Sequence, residues 1–291
     1  MYIKNLIRMV SVLAVMLSIS CASASVQDRQ NGGEQIGRTN PIDSILARLN
    51  RRTEELDSYQ CQIEYRHVQP SVFDTQTLRK GTLYYSKLDG RSRLRVNFQT
   101  LQQDEEKEQK YNEQYIVVDG SEMPETGAHF EGIWLVHLDY EFKSPKFIQI
   151  AHAEEPNQSA NVFDLVSKNL PMVGFTKSDQ LKEQFEITLP EQKNSEKQDI
   201  IQVHLKVKPN SVYKDDYVQI DCWIDEKLDL PVKIVAISTE PEGESLSQKD
   251  FYEIKFLNAK TNEKIGKDVF KFEIPKGFDE PEIYPLSKDD K

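Results

Sequence analysis

The sequence is short of most features that carry chemistry. Among 291 residues there are only three cysteines, five histidines and two tryptophans. The histidines, at 67, 129, 137, 152 and 204, form no His-x-x-x-His pair and have no Glu partner at ligand spacing, so no metal site is expected. There is no Gly-x-Ser-x-Gly elbow, no phosphate-binding Walker loop and no dinucleotide fingerprint. Carboxylates are abundant but fall on polar faces or in loops, which leaves no defensible acid–base pair. An enzyme, and with it any cofactor, is therefore not expected. Positive charge is scarce too: 37 Lys and Arg stand against 48 Asp and Glu, a formal net charge of −11. That excludes a nucleic-acid backbone as the main partner and a polybasic grip on anionic lipid headgroups. Helices alternating with strands are also missing, which excludes doubly wound and TIM-barrel architectures.

What is present begins with an export pattern. Lys4 and Arg8 precede the uncharged stretch Met9 to Ser20, and Ala22-Ser23-Ala24 offers a small-x-small cleavage site. Residues 1–24 thus read as a signal peptide, and no later segment approaches a transmembrane helix. Cys21 leaves a second reading open, lipid anchoring. Free release is preferred because Ser18-Ile19-Ser20 lacks the leucine expected three residues before a lipidated cysteine. Residues 25–39 are polar and aperiodic and read as a flexible leader.

A helix then opens at Asn40, a good N-cap, with Pro41 in the first helical position. Ile42, Ile45, Leu46, Leu49 and Leu56 share one face over about four turns. After it the period falls from 3.6 to 2. Tyr59, Cys61, Ile63 and Tyr65 alternate with polar residues, as do Leu94, Val96 and Phe98, then Ile201 to Val207 and Val218 to Ile224. Further strands are expected near 78–86, 114–119, 132–138, 145–151, 182–189, 231–238, 250–257 and 268–274. One short helix interrupts them, capped by Asn161, striped by Val162, Phe163, Val166 and Leu170, and ended by Pro171. The charged stretches Asp104 to Lys110 and Glu191 to Lys197 read as loop tips, the longer stretch 101–113 as a long loop, and 279–291 as a loose acidic tail.

About a dozen one-sided strands and two short helices leave more apolar sheet than the helices can cover tightly. Such a sheet closes into a barrel, folds into a sandwich, or curls and keeps a cavity. Periodicity alone does not choose among the three.

Several segments resemble the LolA-like family of periplasmic lipoprotein carriers. The opening helix runs into Leu56-Asp57-Ser58-Tyr59-Gln60; Lys80-Gly81-Thr82-Leu83-Tyr84-Tyr85 is similar to the family's second strand; Tyr115 to Gly120 followed by Ile133-Trp134-Leu135 is similar to its strand, Asp-Gly turn and aromatic strand. Ile224 to Val232 resembles its Asp-to-Pro hairpin, and Phe270-Lys271-Phe272-Glu273-Ile274-Pro275-Lys276-Gly277 its closing strand. The resemblance spans about residues 42–278. It implies a mainly β fold: a strongly curved antiparallel sheet forming an unclosed half-barrel over 40–278, with a long N-terminal helix and a short lid helix. It also implies a periplasmic carrier that binds acyl chains of lipoproteins or lipids in an apolar concave cavity for transport toward the outer membrane. The partners implied are an acylated lipoprotein or lipid and a membrane donor or acceptor complex. A sensing or interaction module on the same fold, or a membrane-anchored structural lipoprotein, is the alternative.

The concave wall is expected from Tyr59, Ile63, Tyr65, Leu83, Tyr85, Leu94, Val96, Phe98, Val118, Trp134 and Val136, with Phe163 and Val166 as lid contacts. Where the family carries a lid-latching arginine followed by proline, this chain has Ser86-Lys87-Leu88, so Lys87 stands at the latch position as a compact ammonium without the planar fork. Cys61 and Cys222 are either one disulfide or two buried thiols. Trp223 sits on the polar side of its strand, where a lone aromatic is ordinary.

Overall fold

Asn40 caps the first helix as its position predicts, its side chain accepting a hydrogen bond from the Ile42 amide at 3.1 Å. The helix, α1 (Pro41–Glu54), carries Arg51 and Arg52 in its last turn, where cations complement the helix dipole, and buries Ile45, Leu46 and Leu49. The computed structural model describes residues 40–71, 74–88, 91–123, 130–152, 178–190 and 199–286. The signal-peptide, leader and lid-helix assignments, Phe163 and Val166 among them, lie outside those residues, as do 191–198 and the tail from 287.

Six strands follow α1: β1 (Ser58–Gln69), β2 (Thr75–Leu88), β3 (Arg91–Gln103), β4 (Gln109–Asp119), β5 (Ile133–Asp139) and β6 (Ser144–Ala151). A short helix, α2 (Ser178–Gln184), leads into β7 (Phe185–Thr188), then β8 (Ile200–Val207), β9 (Tyr217–Asp225), β10 (Leu230–Ser238), β11 (Phe251–Thr261) and β12 (Glu282–Tyr284). All twelve belong to one curved sheet in the order β12-β6-β5-β4-β3-β2-β1-β11-β10-β9-β8-β7. Two meanders, β1 to β6 and β7 to β11, are thus zipped together by the antiparallel β1–β11 pair, and every pairing is antiparallel except β12 on β6. The terminal strands β12 and β7 do not pair with each other, so the sheet is an unclosed half-barrel rather than a barrel. Both edges end in strands of only three and four residues, which offer little template for a foreign strand.

One face is roofed. Ile45, Leu46 and Leu49 of α1 and Leu181 of α2 join a single core with Tyr59, Leu83, Val96, Phe98, Ile220, Ile234 and Phe256. The opposite, outer face has two halves. Over β1 and β8–β11 it is an ionic lattice: Glu253 lies 3.1 Å from Lys233 and 3.2 Å from Lys255, and Asp221 lies 3.0 Å from His204. Trp223 belongs to this lattice, its ring 4.3 Å from the Lys233 ammonium. Over β4–β6 the outer face is apolar, because the chain after β11 crosses it.

That crossing strap starts in a 3₁₀ turn, Lys267–Phe270, and packs Phe272, Ile274 and Phe278 against Ile116, Val118, Trp134, Val136, Leu138 and Phe147. Arg95 fixes it from the sheet. Its guanidinium donates to the Val269 carbonyl at 2.9 Å and the Lys271 carbonyl at 2.6 Å, and also reaches Gln114 and Asn97. The strand expected at 268–274 is therefore not a strand; its apolar alternation serves a strap lying flat on the sheet. Within the expected loose tail, Glu282–Tyr284 form β12, which pairs in parallel with Lys146–Ile148. The expected strand at 182–189 starts three residues later, since Ser178–Gln184 is helical, and the supposed long loop at 101–113 is a tight hairpin between β3 and β4.

Gly81 shows why the second strand carries its glycine. The register slips between Lys80 and Gly81 on β2 and between Phe98 and Thr100 on β3, bending the sheet there. A Cβ on Gly81 would lie 1.9 Å from the Asn97 carbonyl oxygen and 2.8 Å from the Phe98 Cα. Only a residue without Cβ allows that approach.

Cys61 and Cys222 are both buried and free. Strand order places them three strands apart, on β1 and β9, or about 14 Å at ordinary strand spacing. A disulfide needs Cα atoms within about 7 Å, so of the two alternatives the structure holds the pair of buried thiols. Burial pushes each thiol up to about 12.

Candidate functional site

Directly paired residues of an antiparallel sheet share a face, so register decides which candidate residues meet. Tyr59 pairs with Tyr85, Cys61 with Leu83, Leu83 with Val96 and Tyr85 with Leu94; with Ile63, Tyr65 and Phe98 they lie on the roofed face. Eight of the eleven expected wall residues are thus brought together. Val118, Trp134 and Val136 are not: Val118 pairs with Trp134 and Ile116 with Val136, and all four belong to the outer core beneath the strap. Their neighbours Val117 and Leu135, one position off, are the residues that face the roof. The slip has a physical cause. Ile116-Val117-Val118 and Trp134-Leu135-Val136 are apolar at every position because both faces of β4 and β5 are covered, so alternation gives no parity there.

Beneath α1 the wall is fully enclosed, with Tyr59, Ile63, Leu83, Val96 and Phe98 all at 0% exposure. Toward the β5–β6 edge it is not. Ile133, Ile148 and Ile150 point to the roofed side, Ile148 opposite Leu135, and remain only half-buried. They form an apolar strip continuous with the core and only partly covered.

One end of this face is polar. Glu113 is buried, its side chain 4% exposed. Its carboxylate lies 2.9 Å from His137 Nε2 and 3.0 Å from Arg79, and accepts a hydrogen bond from the Tyr115 hydroxyl at 3.0 Å. Tyr115 stacks on the His137 ring at a centroid distance of 4.4 Å, and Arg79 lies over Tyr111. Burial opposes ionisation of Glu113, but the His137 hydrogen bond and the Arg79 charge outweigh it and hold the carboxyl below its ordinary range. Burial raises Tyr65 and Tyr115 well above the ordinary phenol range, so both stay neutral donors. Across the sheet, His67 lies 3.7 Å from Asp250 and stacks on Tyr252; burial, the largest influence, lowers its titration despite that carboxylate.

The polar end was not singled out from the sequence. The signal was available, since Arg79, Glu113 and His137 each stand at an inward position of a strand. They are 24 to 34 residues apart, however, and meet only through the pairing of β2 to β5. Glu113, His137 and Asp139 bring potential ligand atoms within 4.8 Å of one another, and a cation there would contact three protein groups. The Arg79 guanidinium beside Glu113 makes that an unfavourable place for a divalent ion.

Lys87 is engaged at the expected place. Its ammonium donates to the Glu54 carbonyl at 2.6 Å, while its amide donates to Asp57. The latch position therefore ties the end of β2 to the C-terminus of α1, where an orphan carbonyl and the helix dipole both favour a cation.

No family model and no curated protein matches the sequence. Among solved structures, the chain is similar to a DUF1329 family protein from Desulfovibrio piger, at TM-score 0.39 and 11% identity over 80% of this chain and 98% of that one. It is similar to the Pseudomonas aeruginosa MucA/MucB complex, at TM-score 0.40 and 12% identity over 80% of this chain and 62% of that one. It is also similar to a LolA superfamily protein from Nitrosomonas europaea, at TM-score 0.33 and 11% identity over 80% and 98%.

Proposed function

We propose that the protein is a non-enzymatic carrier of the periplasm that shields acyl chains of a lipoprotein or lipid against the roofed face of its sheet. The observation that carries this reading is the strip of Ile133, Ile148 and Ile150, turned toward the roof yet only partly buried. Three such isoleucines side by side on one edge leave a run of apolar surface on which a chain can lie. Each methylene laid on such a strip gains about 0.8 kcal/mol. A chain of twelve carbons, half covered, would gain roughly 5 kcal/mol by the same measure. In this reading α1, tied down by Lys87, is the fixed part of the roof.

A second reading, a module that binds a protein partner, is favoured by a separate observation. Phe142 at 72%, Leu246 at 48% and Val212 at 43% are exposed on three different loops, between β5 and β6, β10 and β11, and β8 and β9. Those loops all lie at the same end of the sheet, and apolar tips grouped this way suit a docking rim. Among the solved structures similar to this chain, MucB is held in complex with MucA.

Purification of the full protein from its host without detergent, followed by lipid extraction and mass spectrometry, tests the carrier reading. Acyl-containing material near one equivalent is expected. Protein free of lipid that also fails to take up an added acyl chain would overturn it.

A further inference from the structure

We propose that the polar end of the roofed face recognises the anionic head, a carboxylate or a phosphate, of the amphiphile whose chain lies on the isoleucine strip. The inference rests on the carrier reading and adds the chemical class of the ligand.

Three cationic or donor groups line up on neighbouring strands. Arg79 reaches across β3 to stand beside Glu113 on β4, His137 follows on β5, and Lys146 pairs directly with His137 from β6. Lys146 is two residues before Ile148 and four before Ile150, so its stem continues the apolar strip. Among the described residues Lys146 makes no ion pair. Glu282 of β12 is aligned with it, but the Glu282 carboxylate is held by the Tyr284 hydroxyl.

The acids facing this arc are placed differently from the bases. Glu113 is the most buried member, at 4% side-chain exposure, whereas Arg79 is at 29% and His137 at 16%. Asp139, opposite Glu113, is committed to its turn, where it accepts from the Glu141 and Phe142 amides. The carboxylates thus lie beneath or beside the arc, and a ligand arriving along the strip meets the guanidinium, imidazole and ammonium. Arg79 also keeps a buried Nε with no hydrogen-bond partner. An unpaired buried donor is costly, and a ligand oxygen would satisfy it.

Laurate and 1-dodecanol share a chain and differ in charge, so their affinities for the full protein, measured by calorimetry at pH 7.5, separate head from tail. Laurate should bind roughly ten- to hundredfold more tightly, the range charge-assisted hydrogen bonds produce. Lys146→Gln, a half-exposed site, should reduce that preference severalfold with dodecanol unchanged. The double variant Arg79→Gln/Glu113→Gln, which removes the two paired charges together, should abolish it. Equal affinity for the two ligands would overturn the head-group assignment and leave the carrier reading standing. Binding of neither would overturn both. Inorganic phosphate binding as tightly as laurate would also overturn the assignment, since it would mark a free-anion site that needs no chain.

Discussion

Gly81→Ala is the smallest change the fold should refuse. The added methyl would sit 1.9 Å from the Asn97 oxygen, 2.7 Å from its carbon and 2.8 Å from the Phe98 Cα. All three are backbone atoms, so no side chain can rotate away and β3 itself has to move. Phe98 and Val96 follow it, and both are at 0% exposure in the core. Overpacking of this kind costs about 1–3 kcal/mol, and the upper half applies because backbone must shift. Against it, alanine restricts the unfolded chain and recovers about 0.4–1 kcal/mol. The net expectation is a loss of about 2 kcal/mol, or roughly 4–8 °C in Tm for a domain of this size. Calorimetry on wild type and variant measures it directly. An unchanged or raised Tm would refute the close approach of β2 and β3, and with it the bend that curves the sheet.

Other consequences follow from single contacts. Arg95→Met removes four side-chain hydrogen bonds, two of which hold the strap; about 2 kcal/mol should be lost, with faster amide exchange across 267–278 as the local signature. Glu113→Gln leaves Arg79 and His137 without their buried counter-charge and should cost about 3 kcal/mol in urea denaturation at pH 7. Glu113 ionises more readily folded than unfolded, so its contribution is complete above about pH 4.3 and is lost as pH falls through its lower folded value; the variant should lack that decline. His67 also titrates lower when folded, so the stability of wild type should begin to fall below about pH 6.5, and His67→Gln should remove that component from a pH series of Tm values. Cys61 and Cys222, both 2% exposed and with thiols near 12, should resist iodoacetamide in the native protein and react only after denaturation.

The opening helix and most strands could be read from the chain because each element there has one wet face. Asn40, Pro41 and the Ile45–Leu49 stripe define α1, and the alternation in β1, β3, β8 and β9 defines both strand and facing. Gly81 and Gly120 stood in the quoted motifs, and the structure supplies their reason: a Cβ on Gly120 would lie 2.5 Å from the Phe130 oxygen. Parity failed where a second layer exists. The strap of Phe272, Ile274 and Phe278 makes the outer face of β4–β6 apolar, and nothing local to those strands announces it. The same strap explains the false strand at 268–274, because an extended chain on a sheet alternates like a strand without pairing. The polar end was hidden for a topological reason. Its members come from β2, β4, β5 and β6, and only the registers Phe98↔Glu113, Tyr115↔His137 and His137↔Lys146 bring them together.

The two native tryptophans make the side of the sheet that a bound chain occupies directly measurable, because Trp134 lies under the strap and Trp223 in the ionic lattice, both on the outer face. A fatty acid brominated along its chain quenches indole fluorescence on contact. With a tryptophan introduced at the strip by Ile148→Trp, strong quenching of the new emission is expected, with little change in the native pair of the unmodified protein. Quenching of the native tryptophans, with the residue at 148 untouched, would put the chain on the wrong side of the sheet and contradict the carrier reading.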